Sequence, residues 1–320
     1  MKGKHHIVVQ NKRVKYDFEL RRNITVLRGD SATGKTNLIE MIREYTNNGT
    51  NSSIELICDK ACYILEGATW RGQLSVMKDS IVFIDEGNPF VLTDEFSSTI
   101  QQTDNYYVIV SREGLPNLPY SIEEIYGIRL SGKYGGLKQA YNEFYHIYGK
   151  QQIQEEIRPD TIITEDGNAG YQFFSSISSD DIICIPANGK SGILSKIKLC
   201  KSDKIILVIA DGAAFGSEMS RIELLMREHE NIRLFLPESF EWMILDSGLI
   251  KSSELASTLA SPSDYIDSSE YFSWERFFTR LLIDLTNETI WKYAKNKLNP
   301  SYLGETARKA ILKNLQNINL

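Results

Sequence analysis

Apolar residues along the chain fall into short continuous or alternating runs, bounded by polar and glycine-bearing turns and separated by stretches with apolar positions three and four apart. Residues 7–9, the Asn11-Lys12 turn and the alternation of Val14, Tyr16, Phe18 and Leu20 predict an antiparallel hairpin. Residues 24–27 predict a strand that passes into a helix carrying Leu38, Ile39 and Ile42. A polar break over 46–53 precedes two short strand candidates, 54–58 and 61–65. Residues 80–84 and 106–110 are continuous apolar runs, as expected of strands buried on both faces of a parallel sheet. Residues 128–130 add a further strand candidate, and the aromatic spacing over 134–148 predicts a helix.

The stretch 151–159 is polar and reads as a connector. Beyond it, strand candidates at 161–164, 181–185, 205–210 and 232–236 alternate with helical patterns, which predicts a second parallel sheet with ligands at the carboxyl ends of its strands. From residue 268 the pattern is helical: Tyr271, Trp274, Phe277, Phe278, Leu281, Leu282 and Leu285 fall at core spacing, and Trp291 with Tyr293 continues it. That stripe predicts burial, either on the second half or against a partner protein or second protomer. The fold class is α/β, in three parts: 1–150, 151–267 and a helical tail over 268–320.

Composition narrows the class. With 320 residues, 42% hydrophobic and 24% charged, the chain has material for two ordinary cores. A net charge of −6 argues against wholesale coating of nucleic acid while leaving room for a local basic patch. Cys58, Cys62, Cys184 and Cys200 include no CxxC pair and read as reduced thiols, as in cytosol; Cys58 and Cys62 lack the second ligand pair of a zinc site. His5 and His6 read as solvent-facing. The first residues carry no apolar export segment and no run reaches the length of a membrane span, so the expectation is a cytoplasmic protein without a membrane anchor.

The chemistry concentrates at two places. Gly29-x-x-x-x-Gly34-Lys35-Thr36, between a strand and a helix, is the order of a phosphate-binding P-loop. Gly29, Asp30, Ser31, Ala32, Thr33, Gly34, Lys35, Thr36 and Asn37 would cradle the phosphates of ATP with backbone amides, Lys35 reaching the β- and γ-phosphates and the Thr36 hydroxyl holding Mg²⁺. The apolar run 80–84 ends in Asp85-Glu86. Neighbouring strand residues point in different directions, so the acids divide the work: Asp85 in the Mg²⁺ shell, Glu86 orienting and deprotonating the attacking water. The run 106–110 ends in Ser111-Arg112. Arg112 has three readings, namely a phosphate contact, a partner of Glu86 or Asp85, and a solvated loop residue.

Residues 7–135 resemble the small P-loop ATPases with an additional strand. The resemblance implies that Ser111, at the end of the strand after Asp85-Glu86, senses the γ-phosphate, and that an arginine from a neighbouring subunit assists hydrolysis, hence a homo-oligomer. The stretch 70–79 has no LSGGQ-like signature, and the similar run 130–136 follows the acidic strand instead of preceding it. The second half resembles a Toprim domain, as in the overcoming-lysogenisation-defect nucleases. That resemblance implies a Mg²⁺ site from Glu165, in Glu165-x-Gly167, and Asp211. The family's second acid is absent, since Asp211-Gly-Ala213 stands there; Glu218, one helical turn on, is the substitute, with Glu238 or Glu241 as contributors. Read without the resemblance, these acids cap helix N-termini. Five lysines over 190–204 either receive a phosphate backbone or form a solvated face. Taken together, the expectation is an ATP-hydrolysing protein whose nucleotide state controls a Toprim-like effector half, a metal-dependent nuclease acting on nucleic acid in phage defence or a mobile element. The alternatives are an ATP-gated protein-interaction module without nuclease activity and a P-loop kinase.

Overall fold

In a computed structural model, the structure describes residues 1–29, 33–131, 139–149, 153 and 155–320. The chain forms two compact units, Met1–Gly149 with Ser261–Phe272, and Lys150–Ala260 with Ser273–Leu320.

The first unit is built on one nine-stranded sheet. Strands β1 (His5–Gln10) and β2 (Val14–Leu20) form the antiparallel hairpin, turned by the Asn11 side chain, which accepts from the amides of Arg13 and Val14. Strand β3 (Ile24–Leu27) follows, then helix α1 (Lys35–Asn48), β4 (Glu55–Ile57), β5 (Ala61–Ile64), α2 (Trp70–Val76), β6 (Ser80–Ile84), α3 (Asp94–Ile100), β7 (Tyr106–Val110), β8 (Ile125–Leu130) and β9 (Ala140–His146). The order across the sheet is β4-β1-β2-β9-β8-β3-β7-β6-β5. The stretch β8-β3-β7-β6-β5 is parallel throughout, and β3, β6 and β7 are buried at every residue. Strand β7 thus lies between the strand that leads into Gly29 and the strand that ends at Asp85.

Two expectations for this unit are corrected. The helix predicted over 134–148 is not formed where the structure describes it; residues 132–138 lie outside the described residues, and 140–146 are strand β9, parallel to β2 and antiparallel to β8. The pairing selects period two: Phe144 stacks on Phe18 at 4.1 Å, and the Tyr145 ring lies over Gly127, where a Cβ would collide with it. His5 is not solvent-facing: it is 3% exposed on the inner face of β1, with Nδ1 bound to Asp59 at 2.9 Å, whereas His6, one residue on, points outward.

The second unit is a four-stranded parallel sheet in the order β11-β10-β12-β13, with β10 (Thr161–Thr164), β11 (Ile183–Pro186), β12 (Ile206–Ile209) and β13 (Ile232–Phe235). Helices α4 (Ala169–Ile177), α5 (Ile193–Leu199), α6 (Met219–Glu228) and α7 (Phe240–Asp246) follow the strands in turn; α8 (Leu255–Ala260), α9 (Trp274–Thr286) and α10 (Glu305–Ile311) complete the unit. Phe278, Leu282 and Thr286 form the fully buried edge of α9. The helical pattern does not continue through Trp291 and Tyr293, because the Thr286 hydroxyl accepts from the Tyr293 amide at 3.0 Å and turns the chain back on α9. The lysines of 190–204 do not form one cationic face: Lys190 is directed at the loop after β12, Lys204 pairs with Asp160, and Lys198 and Lys201 are exposed. All four cysteines are free thiols.

Glu124 gives the first unit a pH signature. It is buried beside β3 at the sheet edge opposite Gly29, accepts from Thr25 Oγ1 at 3.1 Å and lies 3.6 Å from Arg22 Nε. Burial pushes its carboxyl up to about 7, against the opposing pull of Arg22 and Thr25. Between its ordinary 4.5 and about 7 the folded chain holds this proton more firmly than the unfolded one, so stability falls as pH rises through that window. Glu124→Gln should remove roughly 3 kcal/mol of that slope. Urea midpoints at the two ends of the window check this; an unchanged slope contradicts it.

Candidate functional site

The register of the first sheet brings the predicted site residues to one edge. Leu27 pairs with Val110 and Ile109 with Ile84, so Gly29, Ser111 and Asp85 all leave the sheet on its carboxyl side. Strands lie about 4.8 Å apart, which puts β3 and β6 roughly 10 Å apart with β7 between them. The Ser111 amide donates to the Leu27 carbonyl at 3.1 Å, while its hydroxyl donates to the Glu113 carbonyl at 2.9 Å.

Gly29 and Gly34 have φ of +132° and +94°, in the region that favours glycine. Gly34 caps α1, and its carbonyl accepts both the Leu38 amide at 3.0 Å and the Tyr16 hydroxyl at 2.8 Å. Asn37 Nδ2 in turn donates to the Tyr16 oxygen at 2.8 Å, so β2 fixes the start of the helix. Lys35 is buried, and its ammonium donates to the Gly29 carbonyl and to Thr33 Oγ1, both at 2.7 Å. Thr36 and Asn37 are exposed on the first turn of α1. Asp30, Ser31 and Ala32 lie outside the described residues.

At the end of β6, Asp85 is half-buried, and its Oδ1 accepts the Glu86 amide at 2.8 Å. Burial raises its carboxyl; the Glu86 amide and Arg43 oppose the shift, and Glu86 and Glu40 add to it. Of the three readings of Arg112, the pair with Glu86 is formed, Nε to Oε1 at 2.6 Å with both groups well exposed. Such a pair is worth about 0–1 kcal/mol and yields easily to a competing anion. The donor set suits a nucleotide with Mg²⁺: the positive φ of Gly29 suits glycine in the turn beside Lys35, and Thr36 and Asp85 offer oxygen ligands.

The second unit gathers its acids at the same kind of edge. Glu165 follows β10, Asp211 follows β12, and the Asp211 amide donates to Glu165 Oε2 at 3.1 Å. Glu165, Asp166, Asp211, Glu241, Tyr293 and Lys295 line a cavity of about 40 Å³. The Tyr293 hydroxyl donates to Glu241 Oε1 at 2.7 Å, and Lys295 Nζ donates to Glu275 Oε1 on α9 at 2.6 Å. Burial, with the neighbouring acids Glu275 and Asp166, lifts Glu165 to about 7 against the Asp211 amide and Lys190. Asp211 is pushed well above the carboxylate range by burial, then by Glu275, Glu165 and Glu241, with Lys295 opposing.

Glu218 is not among the residues lining this cavity. It is buried, accepts from Ser217 Oγ at 3.4 Å and contributes to the field around Lys190, whose ammonium donates to Ser217 Oγ at 3.0 Å and the Ala214 carbonyl at 3.2 Å. Among the described residues no group of three or more His, Cys, Asp or Glu converges as a metal cage. Sequence reasoning did not assign Glu275, Tyr293 or Lys295 to the site. No motif carries them: Tyr293 and Lys295 reach the cavity from the tail, far along the chain from Glu165, and Glu275 enters as the partner of Lys295.

The loop after β12, where Ala213 takes the place of the second acid, is held close to the loop after β13. The Gly212 amide donates to the Pro237 carbonyl at 2.6 Å and the Ala213 amide to the Glu238 carbonyl at 3.2 Å, zipping the two together. A Cβ at 212 would stand 2.6 Å from the Leu236 carbonyl oxygen, and Ala213 is buried. Gly212→Ala should therefore cost about 1–3 kcal/mol. Denaturant unfolding of the variant measures it, and an unchanged midpoint contradicts the close approach. No protein-family model matches the chain, and no curated protein matches it.

Proposed function

We propose that the chain binds and hydrolyses ATP with Mg²⁺ at the carboxyl edge of the first sheet, and that its nucleotide state controls the second unit. The observation that carries this reading is the alignment of a lysine-bearing glycine turn, Ser111 and the Asp85-Glu86 pair on one edge, with β7 inserted between the first and last. That order supports kinship with P-loop ATPases of the additional-strand class. Lys35 would exchange its Gly29 and Thr33 partners for phosphate oxygens, Thr36 and Asp85 would hold the cation, and Ser111 would meet the γ-phosphate. Mg²⁺, when bound, supplies charge neutralisation to the phosphates. Glu86 is the base, and Arg112 holds its carboxylate until an anion draws the guanidinium away.

For the second unit we favour the interaction module over the metal-dependent nuclease. Lys295 and Tyr293 already satisfy carboxylates around its cavity, and Ala213 stands where Toprim nucleases carry their second acid. Among the described residues no helix is long and apolar enough to cross a membrane.

Glu86→Gln should leave nucleotide affinity in place and slow turnover by about 100-fold or more, trapping ATP; undiminished turnover removes Glu86 as the base. Plasmid DNA incubated with the protein, ATP and Mg²⁺ or Mn²⁺ should stay intact. Cleavage that disappears in Asp211→Ala would restore the nuclease.

A further inference from the structure

We propose that Lys295 is the standing cation of the carboxylate cavity in the second unit, and that it excludes a divalent metal from the place the Toprim resemblance assigns to one. The inference deepens the interaction-module reading of that unit and is independent of ATP binding in the first.

A buried cluster of acids needs positive charge or donors, and either metal or protein can provide them. Here the protein does. Glu165 takes the Asp211 amide, Glu241 takes the Tyr293 hydroxyl, and Glu275 takes the Lys295 ammonium. The first two contacts occupy lone pairs that an octahedral Mg²⁺ shell, at about 2.1 Å from its oxygens, would claim, and the third fixes a lysine whose charge already acts on Asp211 and Glu241. The cavity lined by Lys295 measures about 40 Å³, room for about two or three waters and little more.

The lysine is also held from behind. Its carbonyl accepts the Ala169 amide at 2.8 Å, the carbonyl of Asn296 accepts Gln172 Nε2 at 3.0 Å, and the Leu298 amide donates to Gln172 Oε1 at 2.9 Å. The Tyr293 amide is fixed on Thr286, and the Trp291 carbonyl accepts the Tyr302 hydroxyl. Residues 291–298 are thus bound along α4 and α9, and Lys295 lines the cavity from a pinned backbone. Charge supports the geometry: Glu275, Glu241 and Asp211 raise the lysine's affinity for its proton even though burial works the other way.

Manganese titration of nucleotide-free, full-length protein, followed by electron paramagnetic resonance, tests this. The parent and Asp211→Asn should take up Mn²⁺ identically, so that any binding in the first unit cancels. Lys295→Met should gain a site that binds Mn²⁺ about tenfold tighter or more, and Lys295→Met with Asp211→Asn should lose it again. The proposal is overturned if the parent binds Mn²⁺ and Asp211→Asn weakens it by a similar factor, or if folded Lys295→Met gains nothing. Should circular dichroism find Lys295→Met unfolded, Lys295→Gln takes its place, and the comparison of parent with Asp211→Asn decides by itself. Loss of ATP binding in the first unit would leave all of these outcomes unchanged.

Discussion

A carboxylate at the end of a buried parallel strand sits where the sheet's own hydrogen bonds run out, and in a low-dielectric setting it must find a cation, a donor or a proton. Both units place acids at such ends, and the arrangement of each follows from how that charge is met. In the first unit Asp85 relies on the Glu86 amide and the field of Arg43, at the same sheet edge as Gly29 and Ser111. In the second, Glu165 takes the Asp211 amide and the field of Lys190, while Asp211, pushed up by Glu165, has the field of a lysine from the tail.

The two lysines differ in what binds them. Lys35 donates to a carbonyl and a hydroxyl, and phosphate oxygens would outbid such neutral acceptors. Lys295 rests on the carboxylate of Glu275, so a neutral ligand gains nothing by displacing it and an anion meets a wall of acids. The first arrangement is open to exchange and the second is closed. Their supports are matched to this. Tyr16, from the β1–β2 hairpin, holds the carbonyl of Gly34 and thereby the turn. The chain around Lys295 is instead stitched to α4 at Ala169 and Gln172.

Much of this was legible from periodicity, because buried parallel strands are continuous apolar runs and most of these end at the residues that matter. The runs 80–84 and 106–110 mark β6 and β7 to the residue. Strand β9 was hidden because Tyr141, Phe144, Tyr145 and Tyr148 mimic helical spacing; stacking on Phe18 and the bare backbone of Gly127 override it. Lys295 was hidden for a different reason. A lysine among Asn, Ala and Tyr carries no local sign of its partner, and only the turn at Thr286 brings it toward Glu275. The gap in Asp211-Gly-Ala213 was visible as a departure, whereas the close approach of Gly212 to the Leu236 carbonyl and the burial of Ala213 are tertiary.

The central claim is that the lysine-bearing turn of the first unit receives a triphosphate. Calorimetric titration of ATP with Mg²⁺ into the parent and into Lys35→Ala, with both confirmed folded, addresses it most directly. The account predicts saturable heat in the parent that vanishes in Lys35→Ala; no heat in the parent, or equal heat in both, would contradict it.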